Sequence, residues 1–162
     1  MLQSLSGAAV WLEQTPLAAA VRSSTWAYPA TEIVHLIGLG LLIGTAVTFD
    51  MRLLGVGARL PVALLAAHLL PWSRLGFALL AVTGVLLFAA NASTLLNMVL
   101  AIKMASITLA VVNASLFHLG IFKSVDRWDV ALPTPGVARL AAVVSLACWT
   151  TALVCGRMLA YV

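Results

Sequence analysis

The chain has 162 residues, of which 63% are hydrophobic and only 9% charged, with a formal net charge of +4. A water-soluble domain carries about 25% charged residues, so this chain has too little polar side chain to cover a hydrated surface. The apolar excess excludes intrinsic disorder, two cysteines exclude a disulfide scaffold, and a polytopic helical membrane protein remains.

In chain order, residues 1–29 read as an N-terminal surface segment and residues 30–162 as a four-helix transmembrane domain. No Lys or Arg precedes Arg22, so the basic start of a signal peptide is missing and the segment is expected to be retained. Leu2, Leu5, Trp11, Leu12, Leu17 and Val21 give it apolar anchors, and Pro16 breaks it after Thr15. The expectation is one or two short helices lying on the outer surface.

Four runs are long enough to cross about 30 Å of hydrocarbon: roughly Ala30 to Phe49, Trp72 to Ala90, Leu95 to Phe122 and Val137 to Tyr161. They lack the alternation of a membrane barrel. The fold class is therefore all-α, a four-helix transmembrane bundle with short N-terminal and interfacial helices. Between the first two spans, Pro61 is expected to open a short interfacial helix, Val62 to Leu70, that Pro71 ends. Asn91 to Thr94 reads as a tight polar turn, and Lys123 to Pro135 as a charged, proline-broken connection. Gly40 and Gly44 form a GxxxG expected to be a packing seam, with close approach of a flat cofactor as the other reading.

The two long connections and their flanks carry Arg52, Arg59, Arg74, Lys123, Arg127 and Arg139; the other side carries Arg22 and Arg157. The positive-inside rule makes the first side cytoplasmic and puts both termini outside. Trp26, Tyr28 and Tyr161 are expected at one interface, Trp72 and Trp128 at the other. The cations are scattered, with no basic run, so the pI near 9.7 implies no nucleic-acid partner.

Polar groups are costly in hydrocarbon, which makes their placement the strongest functional signal. On the first span His35 lies about 60° from Asp50, and Glu32 projects at the same angle as Asp50. On the third span Lys103, Ser106, Asn113 and His118 share about 140° of arc. Lys103 sits well inside the apolar run and is expected to be buried against a partner, with Glu32 favoured and Asn residues next. On the fourth span Arg139, Thr150 and Arg157 share one face, with Arg157 near the depth of Glu32 and His35. Cys148 and Cys155 stack on the opposite face, as small buried thiols or as soft ligands for Cu(I).

The histidines sort by depth. His68 and His118 fall toward the cytoplasmic side, and His35 toward the outer side. Two imidazoles at matching depth are what six-coordinate haem iron requires, so His68 and His118 form the expected haem b site. Arg52, Arg74 and Lys123 are then the candidate propionate partners. No C-x-x-C-H occurs, so any haem is held non-covalently. His35 remains a separate outer group, beside a quinone or a second metal.

The ordered set Glu32, His35, Asp50-Met51-Arg52-Leu53-Leu54-Gly55, Gly76, Thr83-Gly84, Lys103, Asn113, His118 and Gly156-Arg157 resembles a group of small bacterial inner-membrane proteins. That group is distantly similar to the copper-resistance D (CopD-type) membrane proteins. The resemblance covers about Glu32 to Tyr161. It implies an inner-membrane helical bundle with intramembrane histidines, and a copper reading in which His35 and His118 are ligands.

Three functions stay open at this point. One is a b-type cytochrome-like electron-transfer subunit between a membrane quinone and a redox partner. Another is copper binding or transport, with Met51, Met98, Met104 and Met158 as transient ligands. The third is a cofactor-free accessory subunit, within a homo-oligomer or a larger membrane complex in the bilayer.

Overall fold

The computed structural model describes residues 2–130 and 133–161, with side chains from Gly7 onward. Leu2 and Leu5, expected as anchors, therefore have side chains outside the described residues, and Val162 lies outside them altogether. The described residues are helical and contain no strand. Two short helices, α1 (Leu2–Glu13) and α2 (Pro16–Ser23), precede α3 (Ala27–Leu53) and α4 (Val62–Ala90). A single turn, α5 (Ala92–Leu95), leads into α6 (Met98–Leu119). A 3-10 segment, Ile121–Arg127, then precedes α7 (Gly136–Met158). Helices α3, α4, α6 and α7 each hold an eighteen-residue window of mean hydropathy 1.8 or 1.9, enough to cross a membrane. The chain is a multi-pass membrane bundle. Its termini share one end, the termini end. The α3–α4 and α6–α7 connections share the other, the loop end.

The bundle is two hairpins, α3/α4 and α6/α7, joined mainly through α3 against α7. The first hairpin closes on glycine. A Cβ on Gly76 would lie 2.7 Å from Leu42 N and 2.8 Å from Gly38 O, so only glycine lets the two backbones meet there. Gly40 and Gly44 are not that seam. Gly40 is two residues and about 200° from Gly38, and nothing lies within 4 Å of a Cβ on either.

No separate interfacial helix forms before Pro71. Helix α4 runs through it as one 29-residue element. The proline forfeits one backbone bond, whereas ending the helix in an apolar environment would strand several. Asn91–Thr94 is likewise mostly helical, as the start of α5.

At the termini end Thr15 caps α2, its Oγ1 accepting from Ala18 N, with Pro16 as first helical residue. Two contacts then hold α1 and α2 to the bundle. Glu13 Oε1 accepts from Ser93 N at 2.7 Å and Ser93 Oγ at 2.8 Å, and Arg22 Nη1 donates to Ala90 O at 3.1 Å.

At the loop end, α3 stops in a Schellman motif: Val56 N–H reaches Met51 O, Gly55 N–H reaches Arg52 O, and Gly55 takes φ +109°. Beneath it, Phe49, Leu53, Val62, Ala66, Phe117, Val125, Trp128, Ala138 and Ala142 form the main apolar core. Trp128 therefore belongs to the core, at 5% exposure, and not to the interfacial belt expected of it. Its indole N–H donates to Ser124 Oγ. Trp72, Trp26 and Tyr161 are exposed, as a belt requires.

Candidate functional site

A cavity of about 520 Å³ lies between the hairpins toward the loop end, lined by all four long helices. Most of its wall is apolar: Leu42, Phe49, Leu53, Phe77, Phe117 and Trp149. Into this wall the helices set Asp50 from α3, Ser73 and Arg74 from α4, Asn113 and His118 from α6, and Ser145 from α7. Asp50 is 6% exposed, with Ser145 beside its carboxylate.

Two atoms at this cavity are buried without a hydrogen-bond partner in the chain, Asp50 Oδ2 and His118 Nε2. Buried polar atoms are nearly always bonded, so two orphans on residues of one cavity make it the candidate site. His118 Nδ1 bonds Ala114 O at 2.8 Å. A carbonyl only accepts, so Nδ1 carries the proton and neutral Nε2 presents a bare lone pair. The ring is fixed by aromatics: it stacks on Phe49 at 6.4 Å, meets Phe117 edge-on at 5.2 Å and lies tilted against Phe122 at 5.2 Å. Asn113 is already engaged, donating to Ala141 O at 2.9 Å across to α7.

The expected His68–His118 pair is not brought together. His68 is exposed and lines a separate depression of about 250 Å³ with Leu60, Pro61, Leu64 and Leu65. Its Nδ1 is bonded to Leu64 O. The continuity of α4 through Pro71 fixes this outcome, because it turns His68 to the outer face of a long helix. Of the expected propionate partners, only Arg74 lines the cavity. Arg52 is buried and spends its guanidinium on three carbonyls: Leu60 O at 2.6 Å, Ala58 O at 3.1 Å and Asp129 O at 2.9 Å. Asp129 Oδ1 in turn accepts from Ala63 N in the first turn of α4. Arg52 and Asp129 thus clamp the two hairpins together at the loop end. Lys123 is exposed and lines neither cavity.

The remaining polar residues gather nearer the termini end. His35 Nδ1 lies 2.8 Å from Thr83 Oγ1, and the Thr83 hydroxyl hydrogen is committed to Leu79 O at 2.6 Å. The threonine oxygen must therefore accept, and His35 also carries its proton on Nδ1 and shows a bare Nε2. Lys103 does not pair with Glu32. Its Nζ lies 3.5 Å from where a Cβ on Gly156 would stand, near Cys155, and it acts electrostatically on His35. Glu32 is exposed, with Tyr28 nearby. Arg157, also exposed, bonds and overlies Tyr161 one turn on.

Among the described residues no group of three or more His, Cys, Asp or Glu side chains is arranged to hold a metal ion. Cys148 and Cys155 are buried, while Met51, Met98, Met104 and Met158 are all exposed. The methionines expected as soft ligands thus lie on the outer surface of the bundle.

Residues 11–162 match a family described as a family of unknown function (DUF6644). The chain belongs to that family. No curated protein and no solved structure matches the chain. The likeness to CopD-type proteins therefore stands on the short motifs alone, and for this DUF6644 member the site has to be read from its own geometry.

Two contributors to these polar clusters escape the sequence. Thr83, although inside a recognisable motif, shows its role only once α4 is packed on α3. Ser145 is a single serine in an apolar run, and such serines usually bond their own helix. The polarity of Ser145 at the depth of Asp50 was the available signal.

Proposed function

We propose that this protein is a small membrane electron-transfer subunit that binds a quinone or quinol headgroup in the cavity between its hairpins. The observation that carries the reading is the pair of partnerless buried atoms, Asp50 Oδ2 and His118 Nε2, on two residues that line one largely apolar cavity. A quinol brings two hydroxyl donors and an apolar body, which is the complement of two acceptors in an apolar wall. On oxidation, the two hydroxyl protons pass to Asp50 and His118 while two electrons pass to a redox partner in the same membrane. Arg74 and Ser73 at the cavity wall give those protons polar neighbours. The loop end, which carries most of the Arg and Lys, faces the cytoplasm in this reading, and the membrane is a bacterial inner membrane.

A haem b is the second reading, favoured by the His118 ring. One nitrogen is tied to Ala114 O and the other is presented bare, which is how protein imidazoles are oriented toward iron. His118 would be its one histidine ligand and Arg74 the nearest propionate partner. The bis-histidine arrangement does not fit, because His68 lines a different cavity. The haem would supply one-electron transfer.

Trp149 lines the cavity and reports on it. Titration of the purified protein with a short-chain quinone should quench tryptophan fluorescence saturably, and Trp149→Phe should remove most of that quenching. Asp50→Asn and His118→Gln should each weaken binding by about tenfold or more, the cost of one charged or buried hydrogen bond. A Soret band in the purified protein, lost in His118→Gln, would replace the quinone reading with the haem one. No saturable quenching and no Soret band would overturn both.

A further inference from the structure

The cluster nearer the termini end has a chemistry of its own. His35 from α3 and Lys103 from α6 lie near enough for the ammonium to act on the imidazole, and each is seated against a glycine of its own hairpin partner. A Cβ on Gly84 would lie 3.5 Å from His35 Cε1, and one on Gly156 would lie 3.5 Å from Lys103 Nζ. Glycine at both positions makes room for the two basic side chains. Thr83 holds the imidazole in one tautomer, with Nε2 left as an acceptor. Among the described residues no carboxylate pairs with Lys103. A lone ammonium within an apolar span is costly, and an anion brought beside it offsets that cost. The arrangement suits a ligand that supplies one anionic oxygen to Lys103 and one O–H to His35 Nε2.

We infer that the His35–Lys103 level binds a protonated oxyanion: dihydrogen phosphate, bicarbonate, or the monoanion of a phosphomonoester headgroup. Lys103 meets the charge and His35 accepts the proton-bearing oxygen. The site is separate from the Asp50–His118 cavity, whose lining includes neither residue. Its position five residues inside the start of α6 and two before the end of α7 puts it within reach of small ions or lipid headgroups at the termini end.

The test compares oxyanions that differ in their proton. Thermal unfolding of the detergent-solubilised protein is followed at near-neutral pH against inorganic phosphate, sulfate and chloride. The expected result is a saturable rise in midpoint with phosphate and a much smaller one with sulfate, which carries no O–H. Lys103→Met should weaken the phosphate response by about tenfold or more, the loss of one charge-assisted bond. His35→Gln should erode the preference for phosphate over sulfate. Asp50→Asn should leave both responses unchanged, which separates this site from the cavity reading. The lipid source is tested in nanodiscs: stabilisation by phosphatidic acid over phosphatidylcholine, lost in Lys103→Met, assigns the site to a headgroup, whereas a response to free phosphate alone assigns it to a soluble ion. Equal responses to all three anions, or a phosphate response retained in Lys103→Met, would overturn the inference. The wild-type comparison stands even if a variant fails to fold.

Discussion

Two levels of this bundle are built to one plan and finished differently. On α3, His35 and Asp50 are fifteen residues apart; on α6, Lys103 and His118 are fifteen residues apart. Each interval is a rise of about 22 Å, so each level receives one group from each hairpin. Toward the termini end, His35 is satisfied by Thr83 and seated against Gly84, and Lys103 is seated against Gly156. Toward the loop end, Asp50 and His118 each keep an orphan atom at an open volume of about 520 Å³. Backbone approach accounts for the difference. Gly38 and Gly76 draw α3 and α4 into direct contact on the termini side of the cavity, while Phe49, Phe117 and Phe122 hold the loop-end helices apart around His118. The termini-end groups are seated singly against glycines in the helix packing, whereas the loop-end pair borders a cavity shared by all four long helices.

The largest effect is expected from the clamp that joins the two hairpins at the loop end. Arg52→Leu strands three carbonyls and frees the 121–130 segment from α3 and the α3–α4 loop. A loss of about 3 kcal/mol or more in unfolding free energy should follow, measured by denaturation in mild detergent. Retention of full stability would show that the hairpins are held elsewhere. Gly76→Ala should come next. Its Cβ would meet backbone atoms at 2.7 and 2.8 Å, which cannot swing aside, so α3 and α4 must separate at a cost of about 1–3 kcal/mol. Gly40→Ala, with nothing within 4 Å, is the control and should be tolerated.

The four-helix fold was legible from apolar run length, and one or two short helices ahead of it were legible from the apolar anchors and the break at Pro16; the structure has two, α1 and α2. The polar residues of both levels were legible too, because Asp50, Lys103, Asn113 and His118 are conspicuous in apolar runs. Their partners were not. Depth along a helix follows from counting, but facing requires knowing which helices touch, and α3 touches α7 and α4 more closely than α6. Glu32 matched Lys103 in depth and still points outward. His68 differs for another reason: Pro71 signals a helix end in the sequence, whereas in an apolar environment α4 keeps its remaining backbone bonds by continuing. The GxxxG at Gly40 failed because the seam formed at Gly38, about 200° away around the helix.

The comparison of the two levels is sharpest in a pair of substitutions. Thr83→Ala removes a made hydrogen bond to His35 and should destabilise the bundle by about 1 kcal/mol. Asp50→Asn removes a buried charge with an orphan oxygen and should leave stability unchanged or raise it by about 1 kcal/mol, while weakening quinone binding. Opposite signs from two buried polar residues would mark the loop-end level as kept for ligand binding. Equal destabilisation by both would mean that Asp50 is a structural residue, and the two levels would then differ only in shape.

The smallest effect lies outside the membrane spans, where α1 meets α5. Glu13 takes the Ser93 backbone N–H and then its hydroxyl, and these bonds hold its carboxyl below the ordinary value of 4.5. A carboxylate with a lowered folded pKa stabilises the contact above its unfolded value, and that contribution is lost as pH falls through the folded one. The docking of α1 should therefore be intact at neutral pH and loosen only at acid pH below about 4.5. The contact lies at the surface between α1 and α5, so the change should be local: faster amide exchange in α1, with α3 and α4 unaffected. Glu13→Gln should show the looser exchange at every pH, because a neutral amide oxygen is a weaker acceptor and does not titrate. An α1 that exchanges identically in Glu13→Gln and the parent would move the anchor of the N-terminal helices to Arg22 and its bond to Ala90 O.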